Sequence, residues 1–230
     1  EFEALYAIYA KGARTQRAVA AASGLSLGTV NATIKALRAF GLVDDSLAPT
    51  DAALDALAPF KVDNAVIMAA GLSSRFAPIS YEKPKGVLRV RGEVLIERQI
   101  RQLREAGIDD ITVVVGYKKE EFFYLEDLFG VRIVINHEYA TRNNNSTIRC
   151  VQHLLGNTYI CSSDDYFTEN PFEPYVFRAY YSATFASGPT EEWCLVTKGK
   201  ERLISGVEVG GRDSWIMLGH VYWDRAFSQA

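Results

Sequence analysis

Residue types that bind polyphosphates are concentrated between residues 66 and 86. The apolar run at 66–68 is short enough for a buried strand, and Gly71 follows it, where the chain can turn sharply or let a phosphate approach the backbone. Two serine hydroxyls, the cation Arg75 and a second cation, Lys85, come next. Backbone N–H groups after such a strand hold phosphate oxygens, and arginine and lysine neutralise their charge. The sequence therefore predicts a polyphosphate site here.

The spacing in this stretch resembles the nucleotidyltransferase signature G-x-G-x-R-x-x-P-x-T-x(3)-P-K, and neither a Walker loop nor a G-x-G-x-x-G fingerprint occurs. The matched positions are Gly71, Arg75, Pro78, Pro84 and Lys85. Ser73 replaces the second glycine, which adds a side chain beside the phosphates, and Ser80 replaces the threonine but keeps its hydroxyl.

A pair of acids supplies candidate metal ligands. Asp164 and Asp165 follow a predicted strand that ends at Cys161. Mg²⁺ in nucleotide sites takes one or two carboxylates together with phosphate oxygens, and a carboxylate at the end of a strand near the phosphate site suits this. The resemblance implies Mg²⁺ as the cofactor, with Asp164 as a ligand, Asp165 as the fallback and Asp224 as a second ligand.

Longer stretches resemble the bacterial CTP:phosphocholine cytidylyltransferases over about residues 64 to 224. The segments are AAGLSSRFAPI, YEKPKG, VVVGYKKEEF and the series Asn136, Tyr139, Asn143, Asn144 and Thr147. Asn145 and Ser146 depart from the family pattern, in which an aromatic residue and a serine follow the asparagines, and Thr147 replaces the serine. The resemblance implies Mg²⁺-dependent transfer of CMP from CTP to phosphocholine, which gives CDP-choline and pyrophosphate.

The resemblance also assigns roles to individual residues. Lys85 and Arg75 would be catalytic, Lys85 between the α-phosphate and the acceptor phosphate, and Arg75 on the β- and γ-phosphates. The implied nucleotide-binding residues are Ala69, Ala70, Gly71, Leu72, Ser73, Ser74, Arg75, Asn143, Asn144 and Thr147. Because a quaternary ammonium prefers aromatic faces, we expect Trp193, Tyr181 and Tyr222 on the choline side of the site.

Other functions remain open at this point. The acceptor could instead be phosphoethanolamine, 2-aminoethylphosphonate or a sugar 1-phosphate, since the phosphate-binding loop would serve each of them. A primary amine would favour carboxylates over an aromatic box. A third reading is a DNA-binding regulator that senses a nucleotide and no longer turns it over.

Strands and helices alternate from residue 64 onward. Apolar strands at 111–115, 131–135 and 159–161 alternate with helical segments, which predicts an α/β, Rossmann-like sheet of the nucleotidyltransferase type covered on both faces. Ligands in such sheets lie beyond the carboxyl ends of the strands. From Tyr175 the strands become longer and richer in aromatic residues, at 176–185, 193–197, 203–209 and 215–222, which predicts a mixed or antiparallel extension.

The segment before this sheet is helical in pattern and rich in alanine. Val30, Ile34 and Leu37 recur at helical spacing. The offsets of Ala20, Gly24, Val30 and Leu37 resemble the helix-turn-helix of MarR-like winged-helix regulators, and this resemblance predicts a short wing at 42–47. The five cations of the segment against its six acids predict weak DNA binding unless the segment dimerises. The predicted domains are a winged-helix domain at 1–60 and a nucleotidyltransferase domain at 64–230, the latter expected to be truncated at its carboxyl end.

Composition limits the remaining classes. The 230 residues carry a formal net charge of −3, which argues against a strongly basic nucleic-acid binder. Three cysteines without C-x-x-C spacing favour buried thiols in a reducing cytoplasm over a disulfide frame or zinc site. No apolar run reaches the length of a membrane span. We expect CTP and phosphocholine as partners, no membrane partner, and a cytoplasmic location.

Overall fold

The computed structural model describes residues 1–72, 77–142, 144–200 and 202–230. These residues form two compact units. The first unit comprises Glu1–Lys61 with Tyr175–Phe177, and the second comprises Val62–Pro174 with Arg178–Ala230.

The first unit is built from four α-helices: α1 (Phe2–Tyr9), α2 (Gln16–Ser23), α3 (Leu27–Ala39) and α4 (Asp51–Leu57). The Thr15 hydroxyl accepts a hydrogen bond from Ala18 N at the start of α2, and the Ser26 hydroxyl accepts one from Thr29 N at the start of α3. Apolar side chains at helical spacing close one core, including Ile8, Val19, Val30, Ile34, Leu37 and Leu57. The segment predicted as a wing forms one antiparallel bridge, between Val43 and Pro49.

The described strands of the second unit form a six-stranded mixed sheet and a separate β-ribbon. In chain order they are β1 (Asn64–Ala69), β2 (Arg89–Val90), β3 (Glu93–Val94), β4 (Ile111–Val115), β5 (Arg132–Ile135), β6 (Thr158–Ser162), β7 (Tyr180–Lys198) and β8 (Leu203–Trp223). The sheet order is β5-β4-β1-β6-β8-β7, and β2 pairs with β3. The pairs among β5, β4, β1 and β6 are parallel, whereas β8 is antiparallel to both β6 and β7. This confirms the predicted α/β mixed sheet.

The described part of the second unit contains four α-helices. They are α5 (Leu95–Glu105), α6 (Tyr124–Phe129), α7 (Asn144–Val151) and the short α8 (Arg225–Ser228). Ile96, Ile100 and Leu103 form the fully buried stripe of α5. Among the described residues, no helix combines the length and apolar character needed to cross a bilayer.

Two adjacent parallel strands define the functional edge of this sheet. Strand β1 pairs with β6, so Ala69 and Ser162 end at the same side, where ligands bind in α/β sheets. The four aromatic-rich segments predicted after residue 175 are two long strands, because register shifts such as that between Ala186 and Pro189 bend the ladder without ending it.

A buried histidine lies among the aromatic rings of the antiparallel part. His220 on β8 is 6% exposed, and its Nδ1 and Nε2 lie 2.9 Å from the Ser182 hydroxyl and 3.3 Å from the Tyr180 hydroxyl. The rings of Phe167 and Phe172 pack against it, with centroids 5.1 and 5.9 Å away. Burial in these surroundings lowers the pKa of His220 from 6.5 to about 4.

Because His220 is buried in its neutral form, we expect the protein to lose stability in mild acid. His220 stays neutral in the folded chain down to about pH 4, whereas in the unfolded chain it binds a proton below about pH 6.5. The contribution of neutral His220 to the free energy of unfolding is at most about 3 kcal/mol. It is complete above pH 6.5 and is lost as the pH falls to 4. Urea unfolding from pH 7 to pH 4 should show a flatter pH dependence for His220→Gln than for wild type. The matched variant of the exposed His153, His153→Gln, should keep the wild-type slope, and an unchanged slope in His220→Gln would contradict the assignment.

Candidate active site

The structure brings two predicted site residues, Lys85 and Asp164, into direct contact. Lys85 Nζ donates a hydrogen bond to Asp164 Oδ2 at 3.0 Å, although 79 positions separate them in the chain. Lys85 lies in a tight turn after Pro84, and Asp164 follows the carboxyl end of β6. The side chains are 18% and 38% exposed, so solvent or a ligand can reach this ion pair.

A glycine allows this close approach. Gly86 packs so tightly that a Cβ there would lie 2.9 Å from both Cβ and Oγ of Ser163. Because Gly86 follows Lys85 and Ser163 precedes Asp164, this contact sets the lysine turn directly against the aspartate loop. The sequence motif PKG thus has a packing reason for its glycine as well as a chemical reason for its lysine.

The segment after β4 holds the chain that leads to Lys85. Tyr117 N donates to Ala70 O at 3.2 Å, which ties this segment to the end of β1. Lys118 Nζ donates to the carbonyl oxygens of Tyr81 and Glu82 at 2.7 and 2.9 Å. Lys118 therefore has a structural role that the sequence pattern VVVGYKKEEF did not reveal.

The turn after β1 leaves room beside its glycine. Ala69 and Ala70 are buried, Leu72 is 45% exposed, and a Cβ on Gly71 would lie within 4 Å of no described atom. Gly71 is also outside the left-handed region, so its own backbone does not demand a glycine. The open space fits the predicted approach of a phosphate. Ser73, Ser74 and Arg75 lie outside the described residues.

Thr147 is buried and bonded within the protein. Asn136, at the end of β5, donates from Nδ2 to Ser146 Oγ at 3.0 Å and to Thr147 Oγ1 at 3.1 Å. This network, with all three side chains at most 5% exposed, fixes the first turn of α7 to the sheet. Thr147 thus positions the helix that begins at Asn144, and Asn143 lies outside the described residues.

The two neighbouring aspartates have different surroundings. Asp165 packs against Gly219 of β8, and its Oδ2 is buried with no hydrogen-bond partner in the described part of the chain. Burial, and then the charge of Asp164, raise the pKa of Asp165 to about 7. Asp164 is instead open and beside a lysine, which makes it the better magnesium ligand of the pair.

The residues present fit a magnesium ion that is shared with a nucleotide. Within the described ranges, no group of three His, Cys, Asp or Glu side chains converges on one point. Mg²⁺ does not require such a cage, because it keeps several waters and takes phosphate oxygens with one or two carboxylates. The open carboxylate of Asp164 at the strand edge meets that requirement.

The structure does not bring Asp224 to Asp164, which corrects its assignment as a second metal ligand. Trp223 pairs with Thr158, the first residue of β6, whereas Asp164 lies beyond the last. The five residues of β6 separate the two acids by roughly 15 Å. The Asp224 carboxylate instead accepts hydrogen bonds from Phe227 N at 2.8 Å and Ala179 N at 2.9 Å, and so caps α8.

Tyr222 also lies away from the predicted site. It is fully buried and pairs with Tyr159 on β6, and its ring packs against the rings of Tyr159 and Tyr180 at 5.3 and 6.2 Å. A side chain with no exposed surface offers no face to a substrate, so Tyr222 belongs to the core. The preference of a quaternary ammonium for aromatic faces suggested Tyr222, but it does not show to which face of β8 the side chain points.

The other two aromatic residues stay candidates for the acceptor side. Tyr181 packs beside Val221 at the edge of the core. Burial, and then the negative charge of Asp165, raises the pKa of the Tyr181 hydroxyl. Trp193 is 57% exposed and pairs with Val209 farther along the hairpin. The two side chains therefore occupy different parts of β7.

The mixed sheet, with the Lys85–Asp164 pair beyond the ends of its parallel strands, is an α/β nucleotidyltransferase fold. A family model described as the MobA-like NTP transferase domain matches residues 65–183. The solved CTP:phosphocholine cytidylyltransferase from Streptococcus pneumoniae is 36% identical with a TM-score of 0.70, over 74% of this chain and 73% of that chain.

Two curated relatives are both cytidylyltransferases. Choline-phosphate cytidylyltransferase from Streptococcus pneumoniae is 38% identical over 160 residues, which are 70% of this chain and 69% of the relative. 2-Aminoethylphosphonate cytidylyltransferase from Lancefieldella rimae is 38% identical over 164 residues, 70% of this chain and 66% of the relative. The chain belongs to the cytidylyltransferase family of MobA-like nucleotidyltransferases.

Proposed function

We propose that this protein transfers CMP from CTP to phosphocholine and releases pyrophosphate. The observation that carries the proposal is the 3.0 Å contact between Lys85 and Asp164 at the ligand-binding edge of a cytidylyltransferase sheet. A cation beside a metal-binding acid suits a reaction in which negative charge builds up on a transferred phosphate.

The reaction needs positioning and charge neutralisation more than proton transfer. A phosphate oxygen of the acceptor attacks the α-phosphorus in line, and the bond to pyrophosphate breaks. Since the acceptor phosphate is already an anion, no general base is required. Lys85 would lie between the α-phosphate and the acceptor phosphate and reduce their mutual repulsion.

The family resemblance supports the remaining contacts that we propose. Arg75 and the backbone at Gly71 would hold the β- and γ-phosphates, and Asn143 and Asn144 would contact the cytidine. Asp164 would hold Mg²⁺, which when bound neutralises charge on the α-phosphate. Exposed Trp193 supports a choline acceptor, because aromatic faces bind quaternary ammonium groups.

A second acceptor, 2-aminoethylphosphonate, has its own support. The relative that bears this name is as similar in sequence as the choline-phosphate enzyme, at 38% identity. The primary amine of 2-aminoethylphosphonate would prefer hydrogen-bonded carboxylates to aromatic faces. The two acceptors share the phosphorus-centred anion that Lys85 would contact, so the loop at Lys85 does not discriminate between them.

Pyrophosphate release from CTP tests the proposal directly. The purified protein with Mg²⁺ should release pyrophosphate when phosphocholine is added, and more slowly with phosphoethanolamine, 2-aminoethylphosphonate or glucose 1-phosphate. Faster release with 2-aminoethylphosphonate would select the second acceptor. Absence of release with every acceptor would contradict the enzymatic proposal.

We also propose that the first unit is a winged helix-turn-helix module, with α2 and α3 as its two helices. We propose in addition that the protein acts in the cytoplasm. The order of the four helices and the Val43–Pro49 bridge support the module, and the free thiols of Cys150, Cys161 and Cys194 support a reducing compartment. Because its charge is balanced, DNA binding would need a homodimer. A salt-dependent gel shift with DNA upstream of the gene would support DNA binding by the first unit, and no shift at low salt would contradict DNA binding.

A further inference from the structure

A glutamine on α5 is directly bonded to the loop that carries Asp164. Gln99 is fully buried, and its Nε2 donates to Ser162 O at 2.7 Å and to Asp165 O at 2.9 Å. Since both partners are carbonyl acceptors, only the NH₂ group of the amide can serve them. One side chain thus joins the two residues that bracket Ser163 and Asp164.

The loop has weaker bonds of its own at this point. Asp165 N reaches Ser162 O at 3.4 Å, the long end of the hydrogen-bond range, and Ser163 N bonds to Met68 O at 3.1 Å. The shorter bonds of Gln99 therefore tighten a turn that its backbone closes poorly. Gly86 packs against Ser163, so the loop also has a support at the lysine turn.

The amide of Gln99 also leaves one polar atom unsatisfied. Gln99 Oε1 is buried with no hydrogen-bond partner in the described part of the chain, which lowers stability. A methionine would fill nearly the same volume without a buried polar oxygen. What glutamine adds over methionine is the pair of donors, and both donate to the loop of Asp164.

We propose that Gln99 is a positioning residue for Asp164. By fixing the carbonyl groups of Ser162 and Asp165, it holds the Asp164 carboxylate beside Lys85 and oriented for Mg²⁺. This inference rests on the proposed function, because it acts through the assigned role of Asp164. Residues that orient a metal ligand typically change affinity or activity by 10–100-fold when they are replaced.

The test compares Gln99→Met with Gln102→Met. Gln102 is a buried amide on the same helix, and among the described residues its Oε1 has no hydrogen-bond partner either. Its Nε2, however, donates to Phe167 O, beyond the aspartate pair. We expect Gln99→Met to melt near the wild-type temperature, to lower kcat about 10–100-fold and to need more Mg²⁺. Gln102→Met should change kcat and the Mg²⁺ requirement much less.

Metal binding gives a second readout that does not depend on turnover. Mn²⁺ titrated into the protein with CTP and followed by EPR should bind about 10-fold more weakly to Gln99→Met than to wild type. In an Asp164→Asn background, Gln99→Met should add no further loss, because the group that it positions is gone.

Several results would overturn the inference. These are a folded Gln99→Met protein with wild-type kcat and Mn²⁺ affinity, an equal loss in Gln102→Met, or an unfolded Gln99→Met protein, which would assign Gln99 to stability alone. If wild type releases no pyrophosphate with any acceptor, the proposed function fails, and the Mn²⁺ titration still decides the role of Gln99.

Discussion

Replacing Lys85 with alanine should lower kcat for CMP transfer by about 10²–10³-fold and leave the fold intact. The ammonium group lies 3.0 Å from Asp164. In the proposed mechanism it would contact both the α-phosphate and the incoming phosphate. Without it, two anions must approach each other with less neutralisation, so the rate falls most in the chemical step. Steady-state pyrophosphate release, with kcat and KM determined separately for CTP and acceptor, measures the effect.

The change in stability should be small by comparison. The Lys85–Asp164 ion pair is partly exposed, and such pairs contribute about 0–1 kcal/mol to folding. Lys83 lies in the same segment and, in the described part of the chain, makes no hydrogen bond or ion pair with Asp164. Lys83→Ala should therefore keep kcat within about three-fold of wild type. Near-normal turnover by Lys85→Ala would exclude Lys85 from the mechanism.

Asp164→Asn should lower kcat by about 10²-fold or more, because it removes the charge that would hold Mg²⁺ and keeps the side chain's shape. Turnover at rising Mg²⁺ concentrations is the measurement. We expect the variant to need far more Mg²⁺ than wild type, and the KM for the acceptor to change little. Wild-type turnover and Mg²⁺ dependence in this variant would contradict the metal assignment.

Asp224→Ala is the matched control for this experiment. Its carboxylate caps α8 and binds Ala179 N, so its loss should lower the free energy of unfolding by about 1–3 kcal/mol. Turnover measured well below the melting temperature should stay near the wild-type value. If a folded Asp224→Ala protein lost turnover as completely as Asp164→Asn, the separation of the two acids would be contradicted.

Sequence patterns predicted the sheet edge at which the candidate site lies, because this edge depends on local signals. The apolar run of β1 and the short strand before Asp164 predict parallel strands, and parallel strands end at one edge. Lys85 follows β1 by a spacing typical of nucleotidyltransferases. These three features place Lys85 and Asp164 near each other without knowledge of any long-range register.

The assignments of Asp224 and Tyr222 depend on a pairing that no local pattern gives. β8 runs antiparallel to β6, so its last residue, Trp223, meets the first residue of β6. Direction and register are set by contacts distant in sequence, and a slip of one residue reverses the face of every side chain. Strand-end position alone therefore placed an acid and an aromatic residue at the wrong end of the sheet.

The contacts of the residues that support the candidate site could not be predicted from the sequence, for a different reason. Gln99 stands three residues after Ile96 and four before Leu103, so helical spacing puts it on the buried face of α5. The spacing does not show that its amide bonds to the Asp164 loop. Lys118 and Asn136 bond to backbone and hydroxyl groups of other elements. Such side-chain contacts become visible only when the elements are packed together.

The most direct test of a shared nucleotide site is a crystal structure with Mg²⁺ and a CTP analogue that cannot release pyrophosphate. We expect an α-phosphate oxygen about 3 Å from Lys85 Nζ, and the metal about 2.1 Å from a carboxylate oxygen of Asp164. A nucleotide bound at another part of the sheet, or an α-phosphate beyond the reach of both side chains, would contradict the assignment of this edge as the active site.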